Sequence, residues 1–389
     1  MTVDSSTRAT DIEAIRHAVR ELCARFPVTY WRDLDRRSEY PEEFVRAMTE
    51  AGWLSVLIPE EYGGAGLGIS EASVILEEIN RSGGHAAPCH AQMYIMGTLL
   101  RHGNDEQKRR YLPKVAAGDL RLQSFGVTEP NAGSDTTRIQ TMAVRKGDRY
   151  IVNGQKIFIS RFQHSDLMLL LTRTTPYDEV KNKTEGMSVF LVDIKAAGKA
   201  IEARKLEMML NHETNELFIN DLEVPVENLI GEEGKGFRYL LDGLNAERIL
   251  VSAGSIGSAR WCVAKAAKYA SERVVFGRPI GANQGVQFPI ARAHVATEAA
   301  DLMRWRAATL FDAKQRCGAE ANMAKYLSSE AAMDAANACI DAHGGYGFAV
   351  EYDIERVFRS SRLSRTAPIN NNLVLAFIGE HVLGMPKSY

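Results

Sequence analysis

The hydrophobic pattern of this sequence changes twice along the chain, and this limits the fold more than any single residue does. Up to about residue 120, apolar residues recur at helical spacing, as at Ile12 and Ile15. Residues 121–233 carry short β-rich runs instead, and long stretches rich in Ala, Leu and Val follow from residue 234. The pattern predicts an α+β protein with an N-terminal α-helical domain (1–120), a middle β domain (121–233) and a C-terminal α-helical domain (234–389).

Within the β block, two runs of β-forming residues flank Asn153-Gly154. An Asn-Gly pair between such runs is the strongest short signal for a hairpin turn, because both residues tolerate positive φ. The pattern therefore predicts a turn at Asn153-Gly154. Further strands are predicted over residues 167–173 and 186–193.

Charge and cysteine content exclude several classes of protein. The net charge of −2 gives no electrostatic basis for binding nucleic acid or an anionic membrane. The five cysteines are far apart and form no C-x-x-C pair, so we expect reduced thiols and no metal site. The longest apolar run, residues 167–171, is too short to span a bilayer, and the first residues lack a signal-peptide pattern. We therefore expect a cytoplasmic protein.

The segment from Phe125 to Asp135, with the sequence FGVTEPNAGSD, is the strongest candidate for a ligand loop. Its glycines let the backbone approach a ligand closely, and the hydroxyls of Thr128 and Ser134 can donate hydrogen bonds. By itself such a segment fits an ordinary turn as well as a ligand loop. Three other motifs in the chain favour the ligand loop over the ordinary turn.

These motifs are NGQKIFIS at residues 153–160, SERVVFG at 271–277 and DAHGGYG at 341–347. With the first segment, and in this order, they make the chain resemble the acyl-CoA dehydrogenase family over about residues 40–385. The resemblance implies the family's three-part fold with a C-terminal four-helix-bundle domain. It also implies bound FAD and the oxidation of an acyl-CoA thioester to a trans-2-enoyl-CoA.

The resemblance implies a set of flavin contacts, which fall into two groups. Those in the first two motifs are Phe125, Val127, Thr128, Gly133, Ser134, Phe158 and Ser160. Those nearer the C-terminus are Arg273, Phe276, Gln284, Asp341, Gly344, Gly345, Asn370 and Asn372, of which the first three match positions that reach the FAD of a neighbouring subunit. The alternative for Phe158 and Phe276 is core packing, and for Arg273 it is a solvated helix end. For Asp341 we expect the adjacent glycine backbone, and not the carboxylate, to bind.

The catalytic base is expected at Glu247. Most family members carry this glutamate in a C-terminal loop, where the present chain has Pro368. A subset similar to isovaleryl- and long-chain-type enzymes carries it on an earlier helix, at the position that matches Glu247. The alternative is a glutamate on a helix surface. Neighbouring substrate contacts are expected from Asn245, Arg248 and Tyr346, together with Ser134.

Pro368 also bears on how the thioester oxygen is held. In the family a backbone N–H at this loop position helps to bind that oxygen, and proline has no N–H. Either the loop places the N–H of Ile369 there, or the oxygen is held in another way.

The resemblance further implies a homotetramer, electron-transfer flavoprotein as the electron acceptor, and, from the helix-base subset, a branched or bulky acyl chain. Two other functions stay open at this point. One is a monooxygenase or oxidase with the same fold, which would differ in the reaction of its reduced flavin with oxygen. The other is a non-catalytic binder of acyl-CoA or flavin, in which no acyl-CoA would bleach the bound cofactor.

Overall fold

The computed structural model describes residues 5–387, with side chains from residue 11 onward. Residues 5–120 form six α-helices with connecting loops, as the apolar spacing predicts. Helix α3 begins directly after Pro41, and α6 begins after Asn104, whose side chain accepts a hydrogen bond from the N–H of Gln107. Helices α1 to α6 are Ser5–Ala24, Val28–Arg37, Glu42–Glu50, Ile69–Arg81, Ala87–His102 and Asp105–Ala117.

The middle of the chain forms one large sheet with the strand order β6-β7-β3-β2-β4-β5-β8, and β1 pairs in parallel with β4. The strands are β1 Leu122–Gly126, β2 Met142–Lys146, β3 Arg149–Ser160, β4 Leu167–Arg173, β5 Met187–Asp193, β6 Ile201–Lys205, β7 Thr214–Pro225 and β8 Leu229–Ile230. Strand β4 is apolar through most of its length because both faces are covered. Leu169 and Leu171 lie in one core cluster, while Met168 and Leu170 lie in another.

The predicted turn at Asn153-Gly154 is wrong. Strand β3 runs straight through this pair, and the turn lies instead at residues 147–148, between β2 and β3. The pairing of β3 with β7 shifts between Val152 and Gly154, which marks a β-bulge. A Cβ at Gly154 would lie 2.5 Å from Oγ1 of Thr141, so glycine is needed here for a close approach and not for a turn.

The C-terminal part returns to helices, as predicted. After the short helix α7 (Ile194–Ala197), the helices are α8 Gly236–Glu272, α9 Gln284–Asp312, α10 Gly318–His343, α11 Ile354–Ser364 and α12 Asn371–Phe377, and a small hairpin pairs β9 (Val274–Val275) with β10 (Arg278–Pro279). Alanines on three helices, including Ala259, Ala293 and Ala332, form one buried cluster. Such small side chains let long helices approach closely. The fold is α+β, with N-terminal helices, a middle β sheet and C-terminal helices.

The chain folds into two compact units, each assembled from segments that are separate in the sequence. The first, here called the helical unit, comprises residues 5–37, 68–86 and 245–387. The second, the sheet unit, comprises residues 38–67 and 87–244. The domain boundaries predicted at residues 120 and 233 stay predictions. Among the described residues, no helix combines the length and apolarity that crossing a bilayer requires.

Candidate active site

Glu247 lies on α8 and is buried, with only 6% of its surface exposed. The alternative of a glutamate on a helix surface is therefore wrong. Within residues 5–387 no side chain or backbone N–H donates a hydrogen bond to its carboxylate. Burial raises the pKa of Glu247 to about 8, and the positive charge of Arg248 opposes this only in part. A carboxylate in this setting is a much stronger base than one in water.

Arg248, the residue after Glu247, and Lys325 on α10 are basic groups of the helical unit that influence each other. Arg248 donates from Nη1 to Oδ1 of Asn245 at 3.0 Å, and its buried Nε has no acceptor among the residues that the structure describes. Lys325 on α10 is fully buried and donates from Nζ to Oδ1 of Asn371 at 2.6 Å. Burial, followed by the charge of Arg248, lowers the pKa of Lys325 to about 8. These contacts fix the amide of Asn371 beside the loop that precedes α12.

Lys325 and Asn371 were not anticipated from the sequence. The available signal was a lysine among Ala and Ser residues on a helix face expected to be buried. A charge at such a position needs a polar partner.

The loop from Thr366 to Asn370 contains Pro368, the position at which the resemblance implies the usual glutamate. The N–H groups of Thr366 and Ala367 both donate to the carbonyl oxygen of Leu363, at 2.8 and 2.9 Å. Asn370 caps α12, its Oδ1 accepting from the N–H of Leu373 at 3.0 Å. Ile369 has no acceptor for its N–H within residues 5–387. One backbone donor therefore remains available directly after Pro368. Asn372 is exposed.

In the sheet unit, the first predicted flavin contacts lie where β1 ends. Phe125 and Val127 are half-buried against one core cluster, and the ring of Phe125 lies 6.5 Å from that of Tyr94. The carbonyl oxygen of Thr128 accepts from the N–H of Ile157 at 2.9 Å, which ties the segment to β3. Gly133 and Ser134 are exposed, and a Cβ at Gly133 would contact nothing within 4 Å. The backbone at Gly133 is thus open to a ligand.

A buried ion pair fixes this segment, and the sequence alone did not identify it. Nζ of Lys156 donates to Oε1 of Glu129 at 2.9 Å and to the carbonyl oxygen of Val127 at 3.0 Å. The Glu129 carboxylate also accepts from the N–H groups of Gln140 and Thr141, at 2.6 and 2.9 Å. Burial alone would raise the pKa of Glu129, but Lys156 and these N–H groups lower it below its usual value. Burial lowers the pKa of Lys156 to about 8, so both groups carry charge at neutral pH.

The signal for this pair lies in the alternation of β3. Tyr150 and Val152 point into the core, and Lys156 falls on the same inward face. A charged residue at an inward position requires a buried partner.

Phe158, in the sheet unit, combines an unusual backbone conformation with an exposed aromatic ring. Its backbone is left-handed, with φ of 60°, at a second bulge between Lys156 and Ile159 in the pairing with β7. Its side chain is 56% exposed, so the core-packing alternative is wrong for this residue. A non-glycine residue in this conformation is uncommon and carries strain. Ser160, two residues later, lies half-buried, with its Oγ 3.5 Å from Oγ1 of Thr214.

These features fit FAD. An exposed aromatic ring held by a strained backbone can cover a flat isoalloxazine, and the open Gly133 backbone can approach a diphosphate. No group of three or more His, Cys, Asp or Glu side chains within residues 5–387 is arranged to hold a metal ion.

In the helical unit, the predicted flavin contacts near β9 and β10 are all exposed. Phe276 is fully exposed at the hairpin turn, with φ of 50°, so core packing within this chain is excluded for it. Arg273 and Gln284 are also exposed, at the end of α8 and the start of α9. The solvated-helix-end alternative for Arg273 stays open.

The remaining predicted residues of this unit lie at the end of α10. Gly344 ends the helix with φ of 58°, and a Cβ at Gly344 or Gly345 would contact nothing within 4 Å. The Asp341 side chain is exposed, while its carbonyl oxygen accepts from the N–H of Gly344. Tyr346 is exposed and lies 5.1 Å from the ring of Tyr352. The glycine backbone is accessible here, as expected for a ligand-binding turn.

Comparison with known proteins identifies relatives along the whole chain. Sequence profiles described as "Acyl-CoA dehydrogenase, N-terminal domain", "middle domain" and "C-terminal domain" match residues 9–119, 124–222 and 234–383. The protein named acyl-CoA dehydrogenase FadE12 of Mycobacterium tuberculosis is 36% identical, with 100% of both chains covered.

Two solved structures are similar at a TM-score of 0.90. One is glutaryl-coenzyme A dehydrogenase in complex with glutaryl-CoA, 31% identical, with 100% of this chain and 98% of that chain covered. The other comes from work on the electron transferring flavoprotein of Acidaminococcus fermentans and is 32% identical, with 96% and 98% covered.

Proposed function

The chain belongs to the acyl-CoA dehydrogenase family, and we propose that Glu247 is the base that removes the α-proton of the acyl thioester. The family assignment makes it an FAD-dependent oxidoreductase that acts on acyl-CoA. The burial of Glu247, with no hydrogen bond to its carboxylate within residues 5–387, is the observation that supports this role most strongly.

A C–H group beside a thioester carbonyl is a weak acid, so its base must be strong at neutral pH. Burial gives Glu247 a pKa of about 8. In the proposed step, a carboxylate oxygen of Glu247 takes the α-proton, and the electrons of that C–H bond form the Cα–Cβ double bond. Bound FAD supplies the acceptor for the β-hydrogen and its electron pair. The product is a trans-2-enoyl-CoA.

The negative charge that develops on the thioester oxygen needs a donor. We assign this role to the N–H of Ile369, because it follows Pro368 directly and has no acceptor within residues 5–387. Asn245, Arg248 and Tyr346 in the helical unit, and Ser134 in the sheet unit, are proposed to contact the acyl-CoA.

FAD is proposed to bind through two sets of residues, each described within its own unit. In the sheet unit, Phe158 would cover the ring system, and Ser160 would offer a hydroxyl to it. The other contacts proposed in that unit are Phe125, Val127, Thr128, Gly133 and Ser134. In the helical unit they are Gly344, Gly345, Asn370 and Asn372, with Asp341 contributing backbone only, and with Arg273, Phe276 and Gln284 reaching the FAD of a second subunit.

A homotetramer is proposed as the assembly. Phe288, Val295 and Leu302 form an exposed apolar row at seven-residue spacing on α9, and Phe276 is fully exposed on the hairpin. Light scattering of the purified protein would measure the subunit number. Electron-transfer flavoprotein is the proposed acceptor, in keeping with the context of one similar structure. A cytoplasmic location is proposed because all five cysteines are free.

Anaerobic titration of the holoenzyme with saturated acyl-CoAs tests the proposed function. We expect at least one thioester to bleach the flavin and yield the trans-2-enoyl-CoA, identified by mass spectrometry. Bound flavin that no thioester bleaches would contradict dehydrogenation and indicate a binder. Rapid reoxidation of the reduced enzyme by air, with oxygenated product or stoichiometric peroxide, would indicate a monooxygenase or oxidase.

A further inference from the structure

Arg161, in the sheet unit, differs from the other buried arginines among the described residues. Arg173, Arg304 and Arg356 each donate side-chain N–H groups to carbonyl or carboxylate oxygens. Arg161 is only 7% exposed, yet the nearest acceptor of its guanidinium within residues 5–387 is Nδ1 of His212, at 3.5 Å from Nη1. Its Nε is buried and has no acceptor in the described part of the chain. A buried guanidinium with five donors and no oxygen acceptor requires another partner.

The backbone of the sheet unit explains why Arg161 turns inward. Strand β3 ends at Ser160, and Arg161 adopts a left-handed conformation with φ of 59°. Its N–H donates to the carbonyl oxygen of Glu213 at 2.8 Å, and its carbonyl oxygen accepts from Oγ of Ser165 at 2.9 Å. The residue is thus fixed on both sides, directly after a predicted flavin contact.

The side chains that influence the Arg161 charge are mostly neutral. They are Tyr94, Tyr40 and Cys89, together with the carboxylate of Glu213. That carboxylate is already engaged by Nζ of Lys205 at 3.1 Å and Nε2 of His164 at 3.5 Å. No acidic side chain within residues 5–387 forms an ion pair with Arg161. The guanidinium therefore remains available to an anion from outside the chain.

A row of rings runs from the predicted flavin segment through Tyr94 to His90. Phe125 lies 6.5 Å from Tyr94, and Tyr94 lies 4.8 Å from His90. Tyr94 is also among the side chains that act electrostatically on the Arg161 guanidinium. An acyl chain that starts near Phe125 and follows these rings would bring its far end toward the guanidinium.

We propose that Arg161 determines acyl specificity by binding a carboxylate at the far end of the acyl chain, so that the substrate is an ω-carboxyacyl-CoA. A carboxylate matches the planar fork of a guanidinium and supplies the missing charge. This inference rests on the proposed function, since it concerns the acyl group of that reaction.

Binding of paired trans-2-enoyl-CoAs to the oxidised holoenzyme tests the proposal without turnover. Each pair has the same chain length, from four to eight carbons, and ends in either a carboxylate or a methyl group; a 3-methyl-branched thioester is included. Dissociation constants come from flavin absorbance changes and calorimetry. We expect the carboxylate-ended member to bind about 10- to 100-fold more tightly at one or more lengths.

Arg161→Gln should bring this ratio to about 1 and change the affinity for methyl-ended thioesters by less than about 3-fold. Arg161→Lys keeps the charge and should keep part of the preference. Arg204→Gln, an exposed arginine of the same unit, is the matched control and should behave as the parent. Tighter binding of the methyl-ended or branched thioester at every length would overturn the proposal, whether or not the variants fold. An equal loss of affinity for both ligands in Arg161→Gln would also overturn it and would indicate a role in FAD binding or folding.

This experiment separates the two proposals. Failure of the proposed dehydrogenation would appear as flavin that no saturated thioester bleaches, whereas the binding ratio concerns Arg161 alone.

Discussion

Glu129 and Glu247 are both buried carboxylates, but the two units treat them in opposite ways. Glu129, in the sheet unit, accepts hydrogen bonds from Lys156 and from two backbone N–H groups. Glu247, in the helical unit, accepts none within residues 5–387. As a result the pKa of Glu129 is lowered, and the pKa of Glu247 is raised to about 8.

The difference shows how the surroundings of one residue type decide its role. A carboxylate with three donors is held as a fixed anion. Its ion pair and hydrogen bonds hold the segment around Val127 in place. A carboxylate without donors binds a proton readily and can exchange it with a substrate. In the proposed function the helical unit supplies the base, whereas the ion pair of the sheet unit serves as a rigid support.

The largest effect is expected from Glu247→Gln, which removes the proposed base at almost constant volume. We expect kcat to fall by about 10³-fold or more, because a positioned general base contributes about 10²- to 10⁴-fold. FAD content should be unchanged. Turnover is measured anaerobically with an artificial electron acceptor, and Glu272→Gln, at the exposed end of the same helix, is the control. Near-normal turnover with full FAD content would show that Glu247 is not the base.

Glu129→Gln should act on stability instead of chemistry. The substitution leaves the Lys156 ammonium buried without a counter-charge, which costs about 3–5 kcal/mol in comparable cases. Urea denaturation of the holoenzyme measures this loss, and Glu202→Gln, which changes an exposed side chain on β6, serves as the control. The double variant Glu129→Gln/Lys156→Met should recover most of it. A loss below about 1 kcal/mol in the single variant would show that the pair is not a support.

Ile369→Pro tests the donor assigned to the thioester oxygen. It removes the only N–H in question, and we expect kcat to fall by about 10²-fold with little change in the binding of enoyl-CoA. Ile369→Val keeps the N–H and is the control. If both variants turn over at the parent rate, the oxygen is held by another group.

The smallest expected effect is on the pH dependence of stability. The contributions of the two carboxylates to stability should change with pH in opposite directions. Glu247 has a raised folded-state pKa, so its contribution is complete below about pH 4.5 and is lost as pH rises through about 8. Glu129 has a lowered pKa, so its contribution is present above about pH 4.5 and is lost as pH falls. Denaturation of the parent against each Gln variant from about pH 3 to 9 covers both windows, with slopes of up to about 1.4 kcal/mol per pH unit. Slopes of the same sign would contradict the account.

The sequence predicted the order of helices and strands well, because periodicity reports which face of each element is buried. Asn153-Gly154 shows where local chemistry misleads. Its glycine serves a bulge that only the strand pairing with β7 and the approach of Thr141 make necessary. Such requirements depend on residues far away in the chain and cannot be read from a dipeptide.

For the site, motifs placed Glu247 and Phe158 as candidates, but neither burial nor backbone strain could be derived from them. Lys156, Lys325 and Arg161 carried weaker signals, since their roles depend on which acceptors the fold brings near each charge. A motif therefore predicts which residues are candidates for the chemistry. Which donors and charges surround each of them can be seen only in the folded structure.

Exchange of the α-protons of a thioester tests the central claim most directly. The ligand is an acyl-CoA with sulfur in place of the β-methylene, which blocks loss of the β-hydrogen and leaves only deprotonation to observe. In D₂O, followed by NMR, the parent holoenzyme should exchange the α-protons rapidly, and Glu247→Gln should exchange them at least about 100-fold more slowly with FAD and ligand still bound. Equal exchange rates in the two proteins would show that another group takes the proton.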